Sequence, residues 1–211
     1  MVIRFMEKTV ANILGWILMP VYWIRYPGAM IRGGCLIDIF TVTIKKNARV
    51  GCNSWIGPNV ILEEYSILGR DAKISNVSID KFTSIGADFK VLPYGHNYNR
   101  FSTFSFYILL KKSKQKALRN KERVYYGYTK IEKDVWIGEN VSVIGGSTIK
   151  NGGGIGTHSL VKGLTQEFGI YGGVPAKLIK FRFSPNKIKE YKQSSWYNKP
   201  IDELIAMAVK N

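Results

Sequence analysis

Histidine, cysteine and acidic side chains are scarce in this 211-residue chain, and each shortage excludes something. There are two histidines, His96 and His158, with no cysteine or acidic cluster beside either. A catalytic zinc needs about three protein ligands, so no metal site is expected. There are two cysteines, Cys35 and Cys52, outside any CxxC pair. That pattern fits two small buried thiols in a reduced, cytoplasmic chain, not a disulfide framework. Asp and Glu number 15 against 31 Lys and Arg, a formal net charge of +16. The balance favours an anionic partner: phosphate groups, an acidic polymer or an acidic membrane surface. No helix-turn-helix, zinc-finger or aromatic RNA-binding signature accompanies the charge, so nucleic acid is not the expected partner. Long apolar runs are also lacking. The stretch from Val10 to Ile24 is broken by Asn12, Gly15 and Pro20. It is shorter than the roughly 20 residues a bilayer crossing needs, and it has no small-x-small cleavage site.

What the chain does have is a repeat. An aliphatic residue returns every sixth position at Ile44, Val50, Ile56, Leu62, Leu68 and Ile74. After one five-residue step it continues at Ile79, Ile85 and Val91, and it resumes at Ile131, Ile137, Val143, Ile149, Ile155 and Val161. Four residues after each of these the side chain is usually small or β-branched, as at Ala48, Ser54, Ala72, Val141 and Ser159. A period of six matches neither a 3.6-residue helix nor an alternating strand. It matches an all-β solenoid: a prism of short parallel strands, one hexad per face and three per coil, with every aliphatic stacked inward. Gly often follows the aliphatic directly, as at Gly51, Gly57, Gly86, Gly138 and Gly156. Gly is expected at the corners, where the backbone turns sharply and left-handed φ is needed.

The ladder stops for about forty residues after Val91. Long insertions in a compact domain are usually functional. This one opens with "VLPYGHNYNRFSTFSFY" and continues into "LLKKSKQKALRNKER", seven basic residues against the single acid Glu122. The basic stretch reads either as a solvated face or as a surface for an acidic glycan, a pyrophosphate-linked acceptor or the membrane that carries it.

The segments "VWIGENVSVIGGSTIKNGGGIGTHSLV" and "GGVPAKLIKFRF", with "SIDKFTSIGADF", "HNYNRFSTFSFY" and the tail "SSWYNKP", resemble the hexapeptide-repeat acyltransferases. The similarity is to the xenobiotic (streptogramin/chloramphenicol) acetyltransferase branch, which also contains many sugar and polysaccharide O-acetyltransferases. It runs from about Ile44 to Trp196. The resemblance implies a left-handed parallel β-helix, a homotrimer with sites between subunits, and acetyl-CoA as cosubstrate. By position, His96 is the general base. An imidazole near its ordinary pKa suits removal of a hydroxyl proton at neutral pH. The family's cofactor contacts carry over to Trp136, Glu139, Thr157, Lys162, Lys177 and Lys180; the lysine ordinarily stands one position after Lys162, where this chain has Gly163. Around His96, the aromatics Tyr94, Tyr98 and Phe104 are candidates to hold a sugar acceptor, or alternatively pack between subunits. His158 falls at an outward-facing position and is read as a surface residue.

Three segments are expected. Residues 1–34 form an N-terminal helical, amphipathic segment that either covers the end of the main domain or lies on an anionic membrane. Residues 35–183 form the β-helix, with an inserted loop at 96–130. Residues 184–211 form a C-terminal helical cap over the open end of the prism. The functional expectation is O-acetylation of a sugar hydroxyl in a bacterial surface polysaccharide or its precursor, without an acyl-enzyme, in the cytoplasm or at the inner face of the membrane. The alternatives are N-acetylation of an amino sugar nucleotide, antibiotic acetylation, and a non-catalytic scaffold.

Overall fold

The computed structural model describes Val10 and residues 13–210. Its body is a three-faced prism. The first face carries Met30–Ile31, Arg49–Val50, Ile67–Leu68, Ser84–Ile85, Trp136–Ile137, Gly154–Ile155 and Gly169–Gly172, all parallel, and ends on antiparallel Lys177–Phe181. The second runs from Leu36–Ile37 through Lys90–Leu92 and Ser142–Ile144 to Leu160–Val161. The third runs from Thr43–Ile44 through Thr129–Ile131 to Thr148–Ile149.

All fifteen ladder aliphatics are buried in a single core. Ile31 and Ile37 belong to it as well, one coil earlier than the count of six reaches, because a seven-residue step separates Ile37 from Ile44. The position four residues after the aliphatic also points inward at most of the coils. It holds fully buried Ala48, Ala72 and Val141, and once a large ring, Phe89.

The glycines directly after the aliphatic have a different job from the one expected. Left-handed φ falls three residues after the aliphatic, on glycine at Gly34, Gly146 and Gly152 and most often on Asn or Asp, as at Asn47, Asn53, Asn59, Asp71, Asp88 and Asn140. Their short polar side chains tolerate that region. The glycines directly after the aliphatic are needed for close approach. A Cβ on Gly51 would lie 2.3 Å from the Arg70 nitrogen, and one on Gly69 would lie 2.5 Å from the Gly86 carbonyl carbon.

Helix α1 (Met19–Arg25) closes the N-terminal end of the prism. Met19, Tyr22 and Tyr26 form its buried stripe. The Tyr22 hydroxyl donates to the Cys35 carbonyl at 3.2 Å and accepts from Ile37 N–H at 3.2 Å. The Tyr26 hydroxyl donates to the Val42 carbonyl. Tyr22→Phe leaves two buried main-chain groups unpaired and is expected to cost about 1–3 kcal/mol in urea denaturation. Cys35 is buried, its thiol directed at the Gly51 carbonyl, and burial pushes its pKa up to about 11. Cys52 is partly exposed. Alkylation of the native protein at neutral pH is therefore expected to label Cys52 and spare Cys35, with both labelled after denaturation.

The insertion is structured. Tyr94–His96 and Arg123–Tyr125 pair as an antiparallel hairpin that stands off the prism, with His96 opposite Arg123. Between them lie a 3-10 turn, Phe106–Leu109, and helix α2 (Lys112–Glu122). The basic stretch is helical because Lys, Gln, Ala, Leu and Arg are all good helix formers.

Helices α3 (Pro185–Ser194) and α4 (Ile201–Lys210) follow the prism. The first packs along the corner between the third and first faces instead of over the open end. Tyr191 stacks on Phe183 at 4.8 Å and tilts against Phe168, and Trp196, just beyond the helix, meets Phe82, which stacks on Tyr65 at 5.5 Å. Tyr65, Phe82 and Phe168 all occupy left-handed corner positions. Their outward rings attract the returning chain, and Lys177–Phe181 pairs with the last strand of the first face instead.

Candidate active site

The candidate residues fall into two groups. The first is on the insertion, which leaves the corner between the second and third faces after Leu92 and returns at Thr129. His96 is exposed at the end of the hairpin's first strand. The Arg123 guanidinium lies 4.6 Å over the Tyr94 ring, and Tyr125 packs on the same ring at 5.3 Å. Phe104 is edge-on to Phe106 at 5.0 Å. Tyr98 is 78 % exposed and makes no ring contact among the described residues. Tyr94 and Phe104 thus pack within the insertion while staying partly exposed, and Tyr98 leaves a ring face open. Lys162 sits on the same prism corner, next to Gly163, whose N–H donates to Ser147 Oγ.

The second group is on the first face and its neighbouring corner. Trp136 pairs with Gly154, Gly154 with Ile170, and Ile170 with Lys180. Strands lie about 4.8 Å apart, so Trp136 and Lys180 stand at the ends of a row about 14 Å long. Lys177 is on the same strand as Lys180, opposite Gly172. Gly154, in the middle of the row, leaves room for the Ile170 side chain, which lies 2.6 Å from where a Cβ would stand. A depression of about 290 Å³ opens there, lined in part by Ser84, Trp136, Ile170, Asp134 and Arg182. Arg182 bonds the Asp134 carboxylate and the Gly152 carbonyl, both at 2.9 Å. Burial raises the Asp134 pKa against the pull of that guanidinium. Around the corner, Glu139 and Thr157 occupy adjacent coils: His158 N–H donates to the Glu139 carbonyl, and Thr157 Oγ1 lies 2.7 Å from where a Cβ on Gly138 would stand. His158 is exposed, with left-handed φ. Among the described residues no group of three His, Cys, Asp or Glu side chains could hold a metal ion.

Within one chain these groups do not meet. Trp136, Glu139, Thr157, Lys162, Lys177 and Lys180 are all exposed, as is His96.

Glu122 was missed as a site residue, although it is the single acid of the basic stretch. It is 4 % exposed. Its main-chain carbonyl accepts from Asn97 N–H at 2.9 Å, directly after His96, and its Oε2 accepts from Tyr107 N–H at 3.3 Å. Oε1 is buried with no hydrogen-bond partner among the described residues. One residue therefore ties the histidine strand to the far turn of the insertion. Glu122→Ala is expected to loosen it, seen as faster proteolysis within residues 97–121 while the prism resists.

No family model matches the chain. A chloramphenicol acetyltransferase of Morganella morganii is 33 % identical over 135 residues, 62 % of this chain and 63 % of that relative. The chain thus spans less than two thirds of that relative's length. A Lysinibacillus sphaericus protein named as a macrolide acetyltransferase is 33 % identical over 128 residues, 60 % of this chain and 71 % of the relative. The chain belongs to the hexapeptide-repeat acetyltransferase family. An Escherichia coli member named for O-acetyl transfer in lipopolysaccharide biosynthesis is 48 % identical over 50 residues, 24 % of this chain and 26 % of that relative. Among solved structures, an N-acyltransferase from Bacillus cereus, in complex with dTDP and coenzyme A, superposes with a TM-score of 0.60 at 20 % identity, covering 82 % of this chain and 86 % of the other. That likeness is one of fold: the prism is the left-handed parallel β-helix of the hexapeptide-repeat acetyltransferases.

Proposed function

We propose that this chain transfers acetyl from acetyl-CoA to a hydroxyl of a sugar, in a surface polysaccharide or its lipid-linked precursor, at sites between the subunits of a homotrimer. The observation that carries the reading is the separation of two exposed half-sites on one chain. The His96 hairpin leaves one corner of the prism, and the Trp136-to-Lys180 row lies on another face. A neighbouring copy can bring the two together. An extended thioester arm fits along the row, with its phosphates toward Lys177 and Lys180 as flexible point charges. Trp136 flanks the thioester end. Glu139 and Thr157 line the adjoining corner, and Lys162 lies at the corner from which the histidine hairpin departs.

In the reaction, the imidazole of His96 accepts the proton of the acceptor hydroxyl as its oxygen attacks the thioester carbonyl. The tetrahedral adduct collapses with cleavage of the C–S bond, and the proton passes to the departing thiolate. Acetyl ester and free coenzyme A are the products, and no acyl-enzyme forms. The exposed face of Tyr98 offers a stacking platform for a sugar.

The polysaccharide assignment is supported by the lipopolysaccharide-related member and by the excess of positive charge. A second reading, acetylation of an antibiotic hydroxyl, is favoured by the chloramphenicol and macrolide acetyltransferases among the relatives. Coenzyme A release should be measured with chloramphenicol, sugar nucleotides and isolated surface polysaccharide as separate acceptors, scoring alkali-labile and alkali-stable acetyl apart. Alkali-labile acetyl on the polysaccharide supports the first reading. Turnover of chloramphenicol alone supports the second, and alkali-stable product points to an amine acceptor.

A further inference from the structure

We propose that the N-terminal end of the prism is a docking face for an anionic lipid bilayer, on which residues 13–24 lie flat. The observation is a helical segment that is apolar on every side but buried on one. No charged residue occurs between Ile13 and Ile24. The side facing the prism is accounted for by Gly15, Met19, Tyr22 and Tyr26, all buried. The remaining sides hold Trp16 at 63 % exposure, Ile17 at 67 %, Trp23 at 63 % and Ile24 at 83 %, with Ile13, Leu14 and Val21 also exposed. A helix that is hydrophobic all round is ordinarily buried on all sides. Here the prism covers one stripe only. The patch continues onto the next turn, where Phe40 is 87 % exposed beside Ile39, whose carbonyl accepts from Arg25 Nε.

The charge around this face selects the occupant. Arg25, Arg32, Lys45, Lys46 and Arg49 are all exposed at this end of the prism. Lys46 packs beside Gly28, and Arg49 pairs with Met30. Asp38 is the only acid between residues 30 and 48, and its carboxylate already accepts from Phe40 N–H and the Thr41 hydroxyl. Five exposed cations at the same end of the prism as an apolar face containing two tryptophans fit an interface whose interior is hydrocarbon and whose headgroups are anionic. A second copy of the chain fits poorly, because its own cations would be opposed to these. Among the described residues no helix is long and apolar enough to span a membrane. The inference does not depend on the acyl-transfer reading.

Flotation of the full chain with phosphatidylcholine vesicles, with and without about 30 % phosphatidylglycerol, tests it. The intact chain is expected to float with the anionic vesicles, to show a blue-shifted tryptophan emission there, and to dissociate as salt rises past the screening range. The double variant Ile17→Ser/Ile24→Ser is expected to bind at least tenfold more weakly. Both side chains are exposed, so the fold should be unaffected, which circular dichroism checks. Failure to float with anionic vesicles overturns the proposal. So does binding that the double variant does not change, because charge alone would then suffice. A larger assembly in sedimentation velocity that dissociates in the double variant also overturns it, because a second copy would then cover the face.

Discussion

Replacing His96 by alanine is expected to lower kcat for acetyl transfer by about 10²–10⁴-fold, the usual worth of a positioned general base. Binding of coenzyme A should be largely unchanged, because the contacts proposed for it come from the row from Trp136 to Lys180 and do not include the imidazole. The fold should be unchanged as well. The His96 side chain is exposed, and the hairpin is held by main-chain pairing to Arg123 and by the Asn97 bond to the Glu122 carbonyl, neither of which involves the imidazole. The two measurements are steady-state release of coenzyme A and calorimetric binding of coenzyme A to the same preparation. A variant that binds coenzyme A and turns over at the wild-type rate would remove His96 from the mechanism. Mixing His96→Ala chains with chains lacking Lys177 and Lys180 sharpens the result. If each site is built from two copies, some mixed assemblies contain one intact pair, and activity should partly return.

Phe89→Ala is expected to destabilise the protein by about 3–5 kcal/mol, the range for deleting a buried ring. Phe89 is fully buried at an inward position where neighbouring coils carry alanine, serine or valine. It fills the coil immediately before the chain leaves the prism at Leu92. Little else can collapse into the space, because the flanking strands are fixed by pairing with the coils on either side. The urea midpoint should fall with little change in slope, since the surface exposed on unfolding is nearly the same. A loss below about 1 kcal/mol would mean that the coil relaxes around the cavity. Tyr98→Ala, at an exposed ring of the insertion, is the control expected to leave stability within about 0.5 kcal/mol.

The prism was legible because its cause is local and repeated. Each coil needs one inward aliphatic per face, so the requirement is written fifteen times at a fixed interval, and all fifteen positions are buried. Even so, the count missed Ile31 and Ile37, because a single seven-residue step is enough to hide a coil from a fixed period. It also assigned left-handed φ to the glycines directly after the aliphatic, whereas the structure places that conformation three residues after it, most often on Asn or Asp, and uses Gly51 and Gly69 for the approach of backbone to backbone. The separation between adjacent coils is a property of the stack, and no window of sequence contains it.

By itself, then, the sequence determined the inward ladder, the break at Val91, the family resemblance and the candidate residues, since each rests on residue type at a given spacing. The tertiary structure decided which of those residues share a surface. Trp136, Gly154, Ile170 and Lys180 are far apart in the chain and become neighbours only through strand register. Likewise Glu122 becomes the tie between Asn97 and Tyr107 only because the insertion folds back on itself. The physical reason is the same in both cases. Periodicity reports what one residue needs from the core, whereas a site is made of distances between residues whose separation along the chain is unrelated to their separation in space.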